Sequence, residues 1–238
     1  TVDIGTTTVA MELADLETGE RPRIYTSLNT QRQYGADVIS RIQAADEGKA
    51  KEIQTCIRDV LREGLARLTD GGKEHIDRMV IGANTTMVHL LMGYPCHSLG
   101  VYPFTPCSTE RIDTDGQALL GEAAEDFDVS VFPGVSAYIG GDITAGLYAL
   151  DFHRKEEVSV LVDLGTNGEM AVGNKDRILA ASAAAGPAFE GGNIICGTGS
   201  IPGAISGARW NGQQMELQTI GGGAPVGICG TGIIEAVY

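Results

Sequence analysis

The sequence TVDIGTTTV occupies residues 1–9, and its pattern returns as LVDLGTNGE at residues 161–169. Each copy predicts an apolar strand, a turn rich in glycine and hydroxyl residues, and a second apolar strand that runs back beside the first. In such a turn several backbone N–H groups point the same way, glycine allows a ligand close to the backbone, and threonine adds hydroxyl donors. The pattern therefore predicts two halves of one phosphate-binding site. The predicted phosphate-binding residues are Gly5, Thr6, Thr7, Thr8, Gly165, Thr166, Asn167 and Gly168.

An aspartate precedes each turn, Asp3 in the first copy and Asp163 in the second. A carboxylate beside a phosphate is repulsive unless a cation lies between them, and Mg²⁺ in such sites is often held through water. We therefore predict that Asp3 and Asp163 hold Mg²⁺ through water on opposite sides of the phosphates. The alternative is that both aspartates only cap the ends of their strands. Two copies in the same context favour the metal interpretation, which one copy alone would not.

The composition restricts the class of partner. The chain has 238 residues, enough for one large domain or two lobes, with 31 acidic and 17 basic residues and a net charge of −14. Nucleic acids and anionic membrane surfaces select basic patches, so this balance argues against both partners. There is no apolar run long enough to span a membrane and no basic-then-apolar signal at the N-terminus.

Five cysteines are scattered along the chain without a Cys-x-x-Cys pair. This pattern predicts reduced thiols in a cytoplasmic protein, with no iron–sulfur cluster or zinc site held by this chain. The first strand begins only two residues before its aspartate, and the last residues resemble the first turns of a helix. We therefore expect the chain to be a piece of a longer polypeptide.

Hydrophobic periodicity predicts the remaining elements and two lobes of the same kind. The sequence order strand–strand–strand–helix–strand–helix begins twice, which predicts an α/β fold with a cleft between the lobes. The expected boundaries are residues 1–150 for the first lobe with its connecting helix and 151–238 for the second. Residues 93–131 show weak periodicity and are interpreted as a long excursion, or as an insertion with its own short strands. The predicted further strands are 22–28, 77–82, 158–163 and 177–182, and the predicted helices are 35–45, 47–68, 87–92, 142–150 and 188–193.

The duplicated turns, with a helix of small residues at 140–150 just before the second copy, resemble the superfamily of actin, sugar kinases and heat-shock-chaperone ATPases. The resemblance implies two ribonuclease H-like lobes that close on Mg-ATP, with the second lobe truncated. Within the superfamily, the sequence motifs are most similar to those of the ATPase-like domain of reductive activators of corrinoid proteins. The phrases that carry this likeness, besides the two turns, are YGADVISRI (34–42), ANTTM (83–87), FPGVSAYIGGD (132–142), AAGPAFEG (184–191) and GICGTGII (227–234).

Members of that family couple ATP to the reduction of a Co(II) corrinoid to Co(I), and their electrons come from an N-terminal iron–sulfur domain. The resemblance therefore implies ATP and Mg²⁺ as cofactors, an iron–sulfur cluster outside this chain, and a corrinoid protein as partner. Whether ATP is hydrolysed or only bound, and whether the protein forms a homodimer, is left open. The superfamily's late glycine-rich adenosine motif has no counterpart before Tyr238, so we expect the second lobe to be incomplete.

The resemblance also implies roles for individual side chains. Asp142, at the start of the connecting helix, is the candidate that orients or deprotonates the attacking water, with a plain helix cap as the alternative. Gly186 and Glu190 are candidate nucleotide contacts at a helix start. Glu169 either faces the cleft or lies on a strand surface, and residues 84–86 either line the cleft floor or only cap a helix.

Two other classes of function compete with the activator. A small-molecule kinase of the same fold would hold an acceptor hydroxyl or carboxylate in the cleft. A non-catalytic interaction scaffold would have kept the fold without the chemistry, but the presence of both aspartates and both glycine–threonine turns argues against it.

Overall fold

A computed structural model describes residues 1–122, 124, 126–186 and 194–237. Its first part is built on a six-stranded mixed sheet with the order β3-β2-β1-β4-β6-β5. The first three strands form an antiparallel meander, and β1, β4 and β6 run parallel. This is the arrangement expected of a ribonuclease H-like unit, with β5 added antiparallel at the edge. The strands are β1 (Val2–Ile4), β2 (Thr8–Leu13), β3 (Arg23–Leu28), β4 (Arg78–Ala83), β5 (Ile112–Asp115) and β6 (Asp128–Val131).

The helices cover this sheet on both faces. On α2 the apolar residues recur at helical spacing, and Ile53, Ile57 and Leu61 are completely buried in the core between helix and sheet. The predicted break between the first two helices is a turn at Ala45–Lys49 in which Gly48 has a φ of 92°. The helices are α1 (Val38–Ala44), α2 (Ala50–Leu68), α3 (Thr85–Met92), α4 (His97–Gly100), α5 (Gly116–Leu120), α6 (Gly141–Ala149) and α7 (Gly230–Val237).

The alternation of side chains along β1 sets which residues face the second part of the chain. Val2 and Ile4 are buried in the core, so Asp3 between them points to the opposite face. On that face Asp3 lies beside Gly82 of the neighbouring strand β4. Helix α6 packs on the same face, where a Cβ atom on Gly82 would lie 3.6 Å from the Gly141 carbonyl oxygen.

The second part of the chain contains two smaller sheets. Strands β7, β8 and β9 form an antiparallel meander, and β10 pairs antiparallel with β11 and parallel with β12. One face of the meander, with Val160, Val162 and Val172, is apolar and exposed. The strands are β7 (Ser159–Leu164), β8 (Asn167–Gly173), β9 (Ile178–Ala184), β10 (Ala204–Trp210), β11 (Met215–Thr219) and β12 (Gly227–Ile228). In the described part of the chain, no helix is both long and apolar enough to cross a membrane.

One expectation about the chain order is wrong. Residues 93–131 were expected to be a long excursion or an insertion with its own short strands. The short strands β5 and β6 are present, but β6 pairs with β4 from Arg78↔Asp128 to Ile81↔Val131 and belongs to the main sheet. The sequence did not predict this pairing, because a four-residue alternation is too short to assign a strand to a particular sheet. The helix predicted at 188–193 lies outside the described residues.

Candidate functional site

A cleft of about 450 Å³ lies between the α6 face of the first sheet and the β7–β8 hairpin. It brings together residues that are far apart in sequence and that come from both copies of the Asp-x-Gly pattern. Another cavity, of about 580 Å³, lies at the opposite end of the first sheet beside His75 and Arg78 and contains neither turn. The polar side chains and turn glycines that line the cleft are Thr1, Asp3, Gly5, Thr6, Asn84, Asp142, Tyr148, Asp163, Gly165, Thr166, Asn167 and Glu169.

The first turn contributes its first half to the cleft. The Gly5 N–H donates to the Thr8 carbonyl oxygen at 2.9 Å, which closes the turn. The Thr6 side chain is held by the Asn84 amide, whose Nδ2 lies 3.1 Å from Thr6 Oγ1. Thr7 and Thr8 do not line the cleft, and a Cβ atom on Gly199 would lie 2.6 Å from Thr8 Oγ1. The first turn is therefore in contact with the second part of the chain.

The second turn contributes its tip. The Gly165 N–H donates to the Asn167 carbonyl oxygen at 2.9 Å, and both residues line the cleft together with Thr166. Gly168 is buried within β8, where it pairs with Leu164, and it does not line the cleft. Of the eight predicted phosphate-binding residues, five line the cleft and three lie beside it.

Two glycines bring the connecting helix into the cleft. A Cβ atom on Gly140 would lie 2.5 Å from Asn84 Cα, and one on Gly141 would lie 2.7 Å from the Phe132 carbonyl oxygen. Only glycine allows these close approaches, so the start of α6 sits against the ends of β4 and β6. Gly140 is the N-cap residue of α6, which leaves Asp142 in the first turn. Its Oδ1 accepts a hydrogen bond of 2.8 Å from the Ile143 N–H.

Four carboxylates share this cleft and interact electrostatically. Burial, followed by the charges of Asp142 and Asp163, raises the pKa of Asp3 to about 6. Burial together with the charge of Asp163 raises the pKa of Asp142 to about 6, although the Ile143 N–H acts in the opposite direction. Burial also raises the pKa values of Asp163 and Glu169. Asp3 and Asp163 stay open to solvent through the mouth of the cleft, so a hydrated cation can reach them.

The donor set suits a cation that is held through water. Among the described residues, no three His, Cys, Asp or Glu side chains lie close enough together to bind a metal ion directly. The charges of Asp142 and Asp163 contribute to the raised pKa of Asp3, and these residues line the same cleft, so the carboxylates lie on the same side of a bound cation's water shell. Mg²⁺ keeps several waters and is commonly bound by one or two carboxylates together with phosphate oxygens. The residues present therefore fit Mg²⁺ bound together with a polyphosphate.

Of the remaining candidate residues, Asn84 and Glu169 line the cleft and Gly186 does not. Asn84 caps α3, with its Oδ1 accepting from the Met87 N–H at 2.9 Å, and it also lines the cleft, whereas Thr85 and Thr86 do not line it. Glu169 faces the cleft and accepts a hydrogen bond of 3.1 Å from Ser182 Oγ. Gly186 is not among the cleft-lining residues, and Glu190 lies outside the described residues.

Two residues that lie beneath the first turn were not predicted from the sequence. Asn29 and Arg41 are completely buried and donate to carbonyl oxygens of the turn. For Arg41 the available signal was the motif YGADVISRI at residues 34–42, which carried the family likeness without an assigned role; Asn29 lies outside that motif.

Two strand–turn–strand units with a glycine-rich helix start between them define an α/β protein of the actin-like, or ASKHA, ATPase class. The family model described as the RACo middle region matches residues 1–155, and the one described as the C-terminal domain of RACo, the ASKHA domain, matches residues 157–238. The chain belongs to the RACo family. The predicted α/β fold and the resemblance to reductive activators are therefore confirmed.

Individual relatives agree with this assignment. The chain is 34% identical over 240 residues to the corrinoid activation enzyme RamQ of Eubacterium limosum, covering 99% of this chain and 40% of that protein. It is 27% identical over 266 residues to the [Co(II) methylated amine-specific corrinoid protein] reductase of Methanosarcina barkeri, covering 99% of this chain and 49% of that protein. A solved structure, named reductive activator for corrinoid, iron-sulfur protein, superimposes with a TM-score of 0.89 at 34% identity, covering 99% of this chain and 39% of that one. The chain thus spans less than half the length of each relative.

Proposed function

We propose that this chain is the nucleotide-binding part of an ATP-dependent reductive activator that converts a Co(II) corrinoid protein to the Co(I) state. The observation that carries the proposal is the cleft, in which both Asp-x-Gly turns and Asp142 meet. Membership of the RACo family and the names of the relatives support the corrinoid partner. In this proposal residues 1–150 form one lobe with the connecting helix, and residues 151–238 belong to a second, incomplete lobe.

In this proposal different cleft residues bind the phosphates, the cation and the attacking water. Backbone and side-chain donors of Thr6, Thr166 and Asn167, which line the cleft, bind phosphate oxygens, and Gly5 and Gly165 allow the close approach. Asp3 and Asp163 hold the water shell of Mg²⁺, which when bound neutralises charge on the phosphates. Asp142 orients or deprotonates the attacking water, and its raised pKa of about 6 brings it nearer to that of an effective base at neutral pH.

The electron for cobalt comes from outside this chain. The described cysteines are free thiols, and the proposal places the iron–sulfur cluster elsewhere in the longer polypeptide. Nucleotide can favour reduction only if the lobe arrangement with ATP binds the corrinoid partner differently from the arrangement without it. ATP hydrolysis would then reset the arrangement. The acidic charge supports a partner that is neither a nucleic acid nor a membrane, and the thiols support a cytoplasmic location. A homodimer is compatible with the proposal.

Nucleotide binding is tested with Asp3→Asn and Asp163→Asn in the natural polypeptide that carries this chain. Each variant should weaken Mg-dependent ATP binding by about tenfold or more, because one anchor of the hydrated cation is lost. Asp113→Asn is the matched control, since this exposed carboxylate on β5 lies outside the cleft. Isothermal titration with and without Mg²⁺ measures the effect. Variants that bind Mg-ATP like the parent would show that the clamp is absent.

Corrinoid reduction is tested optically. The natural polypeptide, supplied with reductant and ATP, should convert a Co(II) corrinoid protein to Co(I), and omission of ATP should stop the conversion. A polypeptide that leaves every corrinoid partner unchanged but phosphorylates a small acid or sugar would replace the activator by a kinase of the same fold.

A further inference from the structure

Helix α1 places a buried arginine directly under the first phosphate turn. The helix begins after Asp37, which forms a capping box with Ser40, with the Ser40 N–H donating to Asp37 Oδ1 at 2.8 Å. Arg41 follows in the next position and is 0% exposed. Its Nε donates to the Gly35 carbonyl oxygen at 3.0 Å, which fixes the direction of the side chain. The segment YGADVISRI therefore forms a capped helix start from which the Arg41 guanidinium reaches the first phosphate turn.

Arg41 and Asn29 together hold three consecutive carbonyl groups of the turn. Asn29 Nδ2 donates to the Gly5 oxygen at 2.9 Å, and the Asn29 backbone N–H donates to the Thr7 oxygen at 2.8 Å. Between them, Arg41 Nη2 donates to the Thr6 oxygen at 2.6 Å. The carbonyl oxygens of residues 5, 6 and 7 are thus all drawn toward the core. We call Arg41 and Asn29 the carbonyl bracket.

The bracket determines the direction of the neighbouring N–H groups. In a planar trans peptide, the carbonyl of one residue and the N–H of the next point in opposite directions. With the carbonyls of residues 5, 6 and 7 drawn inward, the N–H groups of Thr6, Thr7 and Thr8 point away from the core. A nest of successive N–H groups of this kind binds anions. Of these three residues Thr6 lines the cleft, as does Gly5 before it, so the Thr6 end of the nest opens toward the cleft.

The burial of Arg41 is not explained by a contribution to the stability of the fold. Arginine is rarely buried completely, and removing a guanidinium from water costs free energy that hydrogen bonds only partly restore. Burying such a group therefore gives little net stability. Its Nη2 donates to the Thr6 carbonyl oxygen of the turn itself, so the effect of Arg41 on the turn accounts better for its burial.

We propose that Arg41 and Asn29 are positioning residues, which hold the first turn in its phosphate-binding conformation without touching the nucleotide. This inference rests on the proposed nucleotide-binding function of the cleft. It predicts that damage to the bracket weakens binding of the phosphates and leaves binding of the nucleoside unchanged.

The test uses Arg41→Lys and Asn29→Ala in the natural polypeptide. Arg41→Lys keeps the charge but loses the fork that joins the Gly35 and Thr6 oxygens. Arg62→Lys is the matched control, because Arg62 also donates to a backbone carbonyl, with its Nε 2.8 Å from the Leu120 oxygen, but far from the cleft. For each protein, the dissociation constants of Mg-ATP and adenosine are measured by competition, together with the thermal midpoint of unfolding.

Both bracket variants should bind Mg-ATP about tenfold more weakly and adenosine within about twofold of the parent. The control should keep both affinities even if its thermal midpoint falls. Bracket variants that lose only thermal stability, or that lose ATP and adenosine affinity equally, would overturn the inference. If Arg41→Lys does not fold, Asn29→Ala decides by itself. A parent that binds no nucleotide would refute the proposed function and this inference with it, whereas a parent that binds while the variants do so equally well would refute the inference alone.

Discussion

Replacing Asp142 with asparagine should make the nucleotide-free protein more stable at neutral pH. Burial and the nearby charge of Asp163 raise the pKa of this carboxyl from 3.8 to about 6, so the folded protein carries an unfavourable negative charge at neutral pH. Asparagine has nearly the same shape and keeps the oxygen that accepts from the Ile143 N–H at 2.8 Å. The substitution therefore removes the charge and leaves the local geometry intact.

The size and the pH dependence follow from the same shift. A rise of about two pKa units corresponds to about 3 kcal/mol at full ionisation, and partial solvent access in the cleft reduces the expected gain to about 1–2 kcal/mol. Because the folded-state pKa of Asp142 is above its unfolded-state value of 3.8, the folded state binds more protons. The free energy of unfolding of the parent therefore falls as the pH rises from about 4 through about 6, because Asp142 ionises in the folded state. The free energy of unfolding of the variant does not show this fall.

Urea unfolding of parent and variant at several pH values, with Mg²⁺ chelated, measures the difference. The gain in the free energy of unfolding should be largest above about pH 7 and should vanish as the pH falls below about 4. Asp113→Asn is a control of opposite sign, because Ser130 and Arg111 lower the pKa of Asp113, and its removal should not stabilise the protein at neutral pH. A variant of Asp142 that is less stable than the parent at neutral pH, or a gain that is independent of pH, would refute the electrostatic argument.

The same variant separates binding from turnover. Since the phosphate-binding turns are unchanged, Asp142→Asn should still bind Mg-ATP, while ATP turnover and ATP-driven corrinoid reduction fall by about a hundredfold or more, as for the loss of a general base. Loss of nucleotide binding together with turnover would instead place Asp142 in the cation site.

Three further substitutions test the packing around the cleft. Gly140→Ala should lower the free energy of unfolding by about 1–3 kcal/mol in denaturant titration, because its Cβ would lie 2.5 Å from Asn84 Cα; an unchanged midpoint would contradict that close approach. Asn84→Ala should cost about 1 kcal/mol through loss of the α3 cap and should also weaken Mg-ATP binding through loss of the bond to Thr6, and an effect on stability alone would separate the cap from the site. Leu61→Ala, completely buried on α2, should cost about 2–5 kcal/mol and leave the affinity for Mg-ATP per folded molecule unchanged.

Local pattern was enough to predict the elements that carry the proposed chemistry. The two Asp-x-Gly turns and the strands beside them appear where the alternation of residues places them, because strand and turn preferences depend on near neighbours. The apolar stripe of α2 was recognisable for the same reason, since residues such as Ile53 and Ile57 recur at helical spacing. The same turns, with the helix between them, carried the resemblance that identified the class of fold.

Long-range contacts decided the remainder. β6 joins the main sheet through its pairing with β4, and its four residues by themselves did not predict that pairing. The burial of Arg41 beneath Thr6 joins residues 35 positions apart, so α1 seen alone is an ordinary capped helix. The raised pKa of Asp142 likewise depends on its burial in the cleft and on Asp163, a residue of another sheet. The sequence by itself determined which groups could bind phosphate and cation, and the tertiary structure decided their distances, burial and charge, because these quantities depend on residues that meet only when the chain folds.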